Sequence, residues 1–120
     1  MSATFNLRLV GDVTVIDVAG QIKLGAGAVF LRDTLRDLVA RNQKNILVNL
    51  RVVNYIDSSG IGELVAGFTH VRDEGGQLKL LNLTQRVKDL LRITKLYTVF
   101  DVYDDETRAV QSFSSIAATA

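Results

Sequence analysis

The residues that could carry chemistry are few, and most can be tested against spacing. The stretch Asp57-Ser58-Ser59-Gly60 offers a hydroxyl nucleophile or acceptor beside a carboxylate. A serine nucleophile needs a histidine base within hydrogen-bond reach. The sole histidine, His70, lies 12 residues after Ser58 on the same predicted helix. At the rise of an α-helix that is roughly 18 Å along the axis, so a triad fails. Gly20, Gly25 and Gly27 follow a strand and precede a helix. Their spacing matches neither dinucleotide nor P-loop patterns, and turn and capping glycines explain them better. Asp104 and Asp105 open a predicted helix, where acids act as caps.

What remains is Ser58. Asp and Ser accept hydrogen bonds from the first free N–H groups of a helix, so the motif reads as an N-cap. A hydroxyl there also faces solvent beside a positive dipole end. A phosphate added to it would be tolerated and would change surface charge without melting the helix. Local physics leaves cap alone and cap plus switch both open.

Composition narrows the classes. The chain has 120 residues, 48% hydrophobic and 22% charged, which fits one soluble globular domain over 1–120, with a core of about 5–111 and a tail from 112 that frays. Lys plus Arg number 14 against 13 Asp plus Glu, which argues against direct nucleic-acid binding. With no cysteine and one histidine, no metal site is expected. No apolar run reaches the roughly 20 residues of a membrane span, and Met1 to Phe5 lacks the form of a secretory signal. A cytoplasmic protein is expected.

These residues must be positioned by elements. Phe5 to Val10 alternates as a half-buried strand, Gly11-Asp12 turns, and Val13 to Ala19 is a second strand ended by Gly20. Residues 21–27 read as loop, and a helix runs from about Ala28 to Asn42. Asn45 to Leu50 is a buried central strand followed by polar punctuation. The next helix starts at the serine motif, with Ile61, Leu64, Val65, Phe68 and Val71 as its core stripe, and Gly75-Gly76 stops it. Gln77 to Leu81 is a strand. Thr84 caps a short helix, Val99 to Tyr103 is a strand, and a last helix follows Asp104-Asp105-Glu106. The order ββαβαβαβα gives an α/β fold, with a mixed sheet of about five strands and about four helices.

At the serine motif the sequence resembles a STAS domain, the fold of bacterial anti-sigma-factor antagonists. The resemblance runs from Leu7 to about Val110. It is most specific over Ile46-Leu47-Val48-Asn49-Leu50 and Val53-Asn54-Tyr55-Ile56-Asp57-Ser58-Ser59-Gly60-Ile61-Gly62, and is supported by Gly75-Gly76 and by Val87 through Leu91 with Leu96. It implies a non-catalytic protein without cofactors, phosphorylated on Ser58. It also implies two partners: an anti-sigma factor with serine kinase activity, bound by the unphosphorylated form, and a serine phosphatase that reverses the switch. The alternative is a STAS module of a stress-sensing assembly or of a lipid or anion transporter complex. One departure stands out. Where the family carries Gly-Glu-hydrophobic-Asp, this chain has Gly20-Gln21-Ile22-Lys23, so nucleotide binding is not carried over.

The candidate partner surface is Lys23, Asp57, Ser59, Gly60, Gly62, Glu63 and Gly67, with Phe30 as an exposed anchor. Lys23 is either a solvated loop lysine or a cation that pairs with the Ser58 phosphate, an interaction of about 1 kcal/mol. Gly62 and Gly67 in an exposed helix face suggest close approach of a partner helix, with tight packing inside the domain as the other reading.

Overall fold

The alternation along the first two strands sets the sheet's sidedness. The computed structural model describes residues 3–118, and side chains through residue 113. The hairpin β1 (Thr4–Val10) and β2 (Val13–Ile22) is closed at Gly11, whose φ of 62° suits glycine. From β2, Ile16 and Val18 point to one face while Val13 and Val15 point to the other.

The remaining elements are α1 (Ala26–Ala40), β3 (Asn45–Ile56), α2 (Ser58–Asp73), β4 (Gln77–Leu81), α3 (Gln85–Ile93), β5 (Val102–Tyr103) and α4 (Glu106–Ala118). The sheet order is β1-β2-β3-β4-β5. Only β1 and β2 pair antiparallel; β2 through β5 run parallel. The larger core lies where α1, α2 and α3 cover Ile16, Ile46, Val48, Leu50 and Leu80. A smaller one lies under α4, where Ala109 and Phe113 meet Val13, Val15, Leu47 and Leu81. β3 is covered on both faces, which is why its first half reads as nearly unbroken apolar sequence.

Several boundaries differ from the sequence reading. Gly20 does not end β2. It sits at φ 99° beside two register shifts, and the strand continues to Ile22. The polar stretch after Leu50 is also strand. Val52, Val53, Tyr55 and Ile56 pair with Ala19, Gly20, Gln21 and Ile22, while β4 stops opposite Asn49. The overhang therefore has a neighbour on one side only, so Arg51 and Asn54 stay exposed. β5 shrinks to two residues. α4 is helical through Ala118, past the Ser112 at which fraying is expected, and positions 119–120 lie outside the described residues.

The smaller face also carries a polar cluster. Arg8 donates to both carboxylate oxygens of Asp17 (2.6 and 3.1 Å) and to Glu106 (2.9 Å), and Asn49 donates to Asp17 at 2.8 Å. Hydrogen bonds from Arg8 hold both carboxyls below their ordinary range, despite partial burial, and donating first to Glu106 and then to Asp17 raises the guanidinium further. One arginine of β1 thus ties the start of α4 to the sheet.

Candidate functional site

β3 ends at Ile56 and α2 begins at Ser58, so Asp57 has to turn the chain between them. It does so in extended backbone, φ −109° and ψ −175°. One carboxylate oxygen accepts the Gly60 N–H at 3.0 Å, the N-cap expected from the sequence. The other accepts the Leu24 N–H at 2.9 Å, and the Asp57 N–H donates to the Ile22 carbonyl at 3.3 Å. Asp57 thereby joins the end of β2 to the start of α2. Burial pushes its carboxyl up, but the N–H groups of Leu24 and Gly60, aided by Ser59, outweigh that and hold it below the ordinary range.

Gly60 is buried. A Cβ there would collide with the Ile22 carbonyl oxygen and stand 2.8 Å from Ile56 Cγ1. The glycine lets the first turn of α2 settle onto the ends of β2 and β3. It belongs to the frame of the site, which corrects its assignment to the partner surface. Gly67 is corrected in the same way. It is buried against α1, and a Cβ would overlap Leu35 Cδ1, a side chain only 1% exposed. Of the two explanations for helical glycines, packing within the domain holds at Gly67. Gly62 is exposed, with open space where a Cβ would go.

Ser58 stands exposed on this frame, at the positive end of the 16-residue α2. Its hydroxyl has no hydrogen-bond partner among the described residues, and His70 lies in the last turn of the helix. Ser59 is half-buried beside it. Among the described residues no cluster of His, Cys, Asp or Glu could hold a metal ion, and no helix is long and apolar enough to cross a membrane.

Lys23 is brought to the motif. It is exposed, it makes no ion pair among the described residues, and it lies between Ile22 and Leu24, both hydrogen-bonded to Asp57. Glu63 is half-buried, 3.9 Å from Arg32 across the α1–α2 contact. Phe30 is 52% exposed, but its ring lies 4.8 Å from that of Phe5 on β1. β2 lies between that strand and β3, at whose end Ser58 follows.

The structure adds neighbours that spacing did not reveal. Arg86 of α3 sits over the Tyr55 ring at 4.1 Å. A cavity of about 410 Å³ opens beside it, between Ile56 and the Leu90 and Ile93 side chains of α3. The only sequence cue was the apolar spacing of α3, which does not say which strand it faces.

Comparison with known proteins agrees with this geometry. A family model described as the STAS domain matches residues 4–109. The anti-sigma-B factor antagonist of Bacillus subtilis (strain 168) is 35% identical over 96 residues, covering 80% of this chain and 86% of that one. The crystal structure of an anti-sigma factor antagonist from Mycobacterium paratuberculosis superposes with a TM-score of 0.82 at 21% identity, over 93% and 94% of the two chains. The Bacillus cell fate determinant SpoIIAA in its phosphorylated form gives 0.72 at 19% identity, over 91% and 98%. The two structures share the fold.

Proposed function

The chain belongs to the STAS domain family, and from that premise we propose that it is an anti-sigma-factor antagonist switched by phosphorylation of Ser58. The unphosphorylated protein binds an anti-sigma factor that is also a serine kinase, and so frees a sigma factor. The kinase transfers a phosphoryl group from ATP to Ser58 Oγ, the hydroxyl proton is lost, and ADP departs. Binding then ends until a serine phosphatase hydrolyses the ester. A cytoplasmic location fits partners of this kind.

One observation carries the reading. Ser58 has a free, exposed hydroxyl, while the residues on either side of it are fixed. Asp57 is held by hydrogen bonds from the Leu24, Gly60 and Ile61 N–H groups and by its own N–H on the Ile22 carbonyl, and Gly60 is wedged against Ile22. A phosphate of charge about −1.5 to −2 therefore alters the surface without disturbing the frame beneath. The partner surface that results is Ser58 with Lys23, Ser59, Gly62 and the exposed part of Glu63. Asp57, Gly60 and Gly67 serve from inside.

The test is to incubate the protein with candidate anti-sigma kinases and ATP and to locate phosphate by mass spectrometry. Modification is expected at Ser58 and absent from Ser58→Ala. Ser58→Asp should lose the kinase while keeping its unfolding midpoint. Equal phosphorylation of Ser58→Ala would overturn the assignment.

A further inference from the structure

β4 stops at Leu81 while β3 runs on to Ile56. At the step the chain turns away through Asn82, which adopts φ 58°, an uncommon conformation for a residue with a side chain. The turn is fixed. The Asn82 N–H donates to the Tyr103 carbonyl at 2.8 Å, and its side-chain amide donates to Asn49 at 3.4 Å. Thr84 then caps α3 by accepting the Val87 N–H at 3.3 Å. The step leaves a cleft of about 510 Å³ outside the carboxyl ends of β4 and β5, the place where open parallel sheets hold ligands.

The lining of the cleft has a definite chemistry. Arg51 of the β3 overhang and Lys88 of α3 both face it, and neither makes an ion pair among the described residues. Asp17 is close enough to feel Arg51, but its oxygens are taken by Arg8 and Asn49. Asp104 is the one carboxylate on the lining, so the described cleft has a net charge of +1. Leu83, Val102, Tyr97 and Tyr103 add apolar and aromatic residues to the same lining, Tyr103 also packing against the core under α4 with Lys79 Nζ 5.7 Å from its ring. Exposed cations are ordinarily just solvated. Two that share one concavity with aromatic residues are matched to a ligand with a charged end and a flat end.

We propose that this cleft binds a small aromatic monophosphate, its phosphate between Arg51 and Lys88 and its ring against Tyr97 and Tyr103. The site is distinct from Ser58. Arg51 and Asp57 are six strand residues apart, roughly 20 Å along β3.

The experiment is an amide NMR titration with phenyl phosphate, and with inorganic phosphate and phenol as partial ligands. Shifts should centre on Arg51, Asn82, Lys88, Tyr97 and Tyr103, with phenyl phosphate binding at least several-fold more tightly than either fragment. Loss of one charged hydrogen bond from Arg51→Gln or Lys88→Gln should weaken binding about tenfold. Ser58→Ala should leave it unchanged. Shifts centred on residues 57–62, no shifts at all, equal binding of phenol, or undiminished affinity in both glutamine variants would each overturn the proposal. Because binding is read on the isolated chain, it stands or falls separately from the anti-sigma reading.

Discussion

Three glycines of one helix should respond in opposite directions to the same methyl group. Replacing glycine by alanine within a helix gains about 1 kcal/mol when nothing opposes the new Cβ. At Gly62 nothing lies within 4 Å of that Cβ, so Gly62→Ala should stabilise the fold by up to about 1 kcal/mol. At Gly60 the Cβ meets the Ile22 carbonyl, a backbone atom of a strand that cannot rotate away. At Gly67 it meets Leu35, enclosed between α1 and α2. Overpacking of this kind costs about 1–3 kcal/mol, which outweighs the gain in propensity. Gly60→Ala and Gly67→Ala should therefore lose up to about 2 kcal/mol, and fall about 1–3 kcal/mol below Gly62→Ala. With an m-value of about 1–3 kcal/mol/M in urea, the midpoints should separate by roughly 1–2 M at unchanged slope. Equal midpoints for Gly60→Ala and Gly62→Ala would refute the contact assigned to Gly60. The same series tests the partner surface. Gly62→Ala should bind the anti-sigma kinase less well although it is the more stable protein. Unchanged binding would remove Gly62 from the interface.

Asp57→Ala removes an N-cap and the tie to Leu24 at once. It should cost about 1–2 kcal/mol in urea unfolding and accelerate hydrogen exchange at the Leu24 amide, and an unchanged Leu24 rate would remove the tie. Asp17 and Glu106 have folded pKa values depressed by Arg8, so their contribution to stability is full above the unfolded values of about 4 and is lost as pH falls through the lower folded ones. Arg8 and Glu106 remain 36% and 37% exposed, so solvent screening limits their pair to about 1 kcal/mol or less. Glu106→Gln should accordingly show a shallower loss of stability below pH 4 in a guanidinium series. A fall as steep as that of the parent would argue against the pair. Lys23→Glu should leave the unmodified protein's stability unchanged. In the phosphorylated protein it should loosen the amides of residues 22–25, with identical spectra for the two phospho-proteins counting against a Lys23–phosphate contact.

The sequence made the order of elements legible because hydrophobic period and turn chemistry are local. It misplaced the end of β2 and the second half of β3 for one shared reason. Both segments are strand only because they pair with each other, and Gly20, Arg51 and Asn54 give no local sign of that pairing. Asp57 was readable as a cap, since a cap is a contact with a residue three positions on. Its second bond, to Leu24, spans 33 positions and could not be read from spacing. The helical glycines failed differently. Gly62 and Gly67 look alike along the sequence, and only the approach of Leu35 from α1 separates them.

That separation bears on how a phosphate could act. If Gly60 had been a surface residue, phosphorylation of Ser58 could have moved the first turn of α2 and transmitted a change through the helix. The turn is instead seated on the Ile22 carbonyl and tied through Asp57, and α2 is packed onto α1 at Gly67. Displacing it would break buried contacts, whereas adding charge to an exposed hydroxyl breaks none. Under the proposed switch, the lower-energy response is for the frame to stay and for the partner to lose complementarity. In that proposed switch the cation at Lys23, unpaired among the described residues, has a role to play. Its backbone neighbours Ile22 and Leu24 are both hydrogen-bonded to Asp57, so on the proposed reading it could neutralise part of the charge on a Ser58 phosphate without rearrangement of the fold.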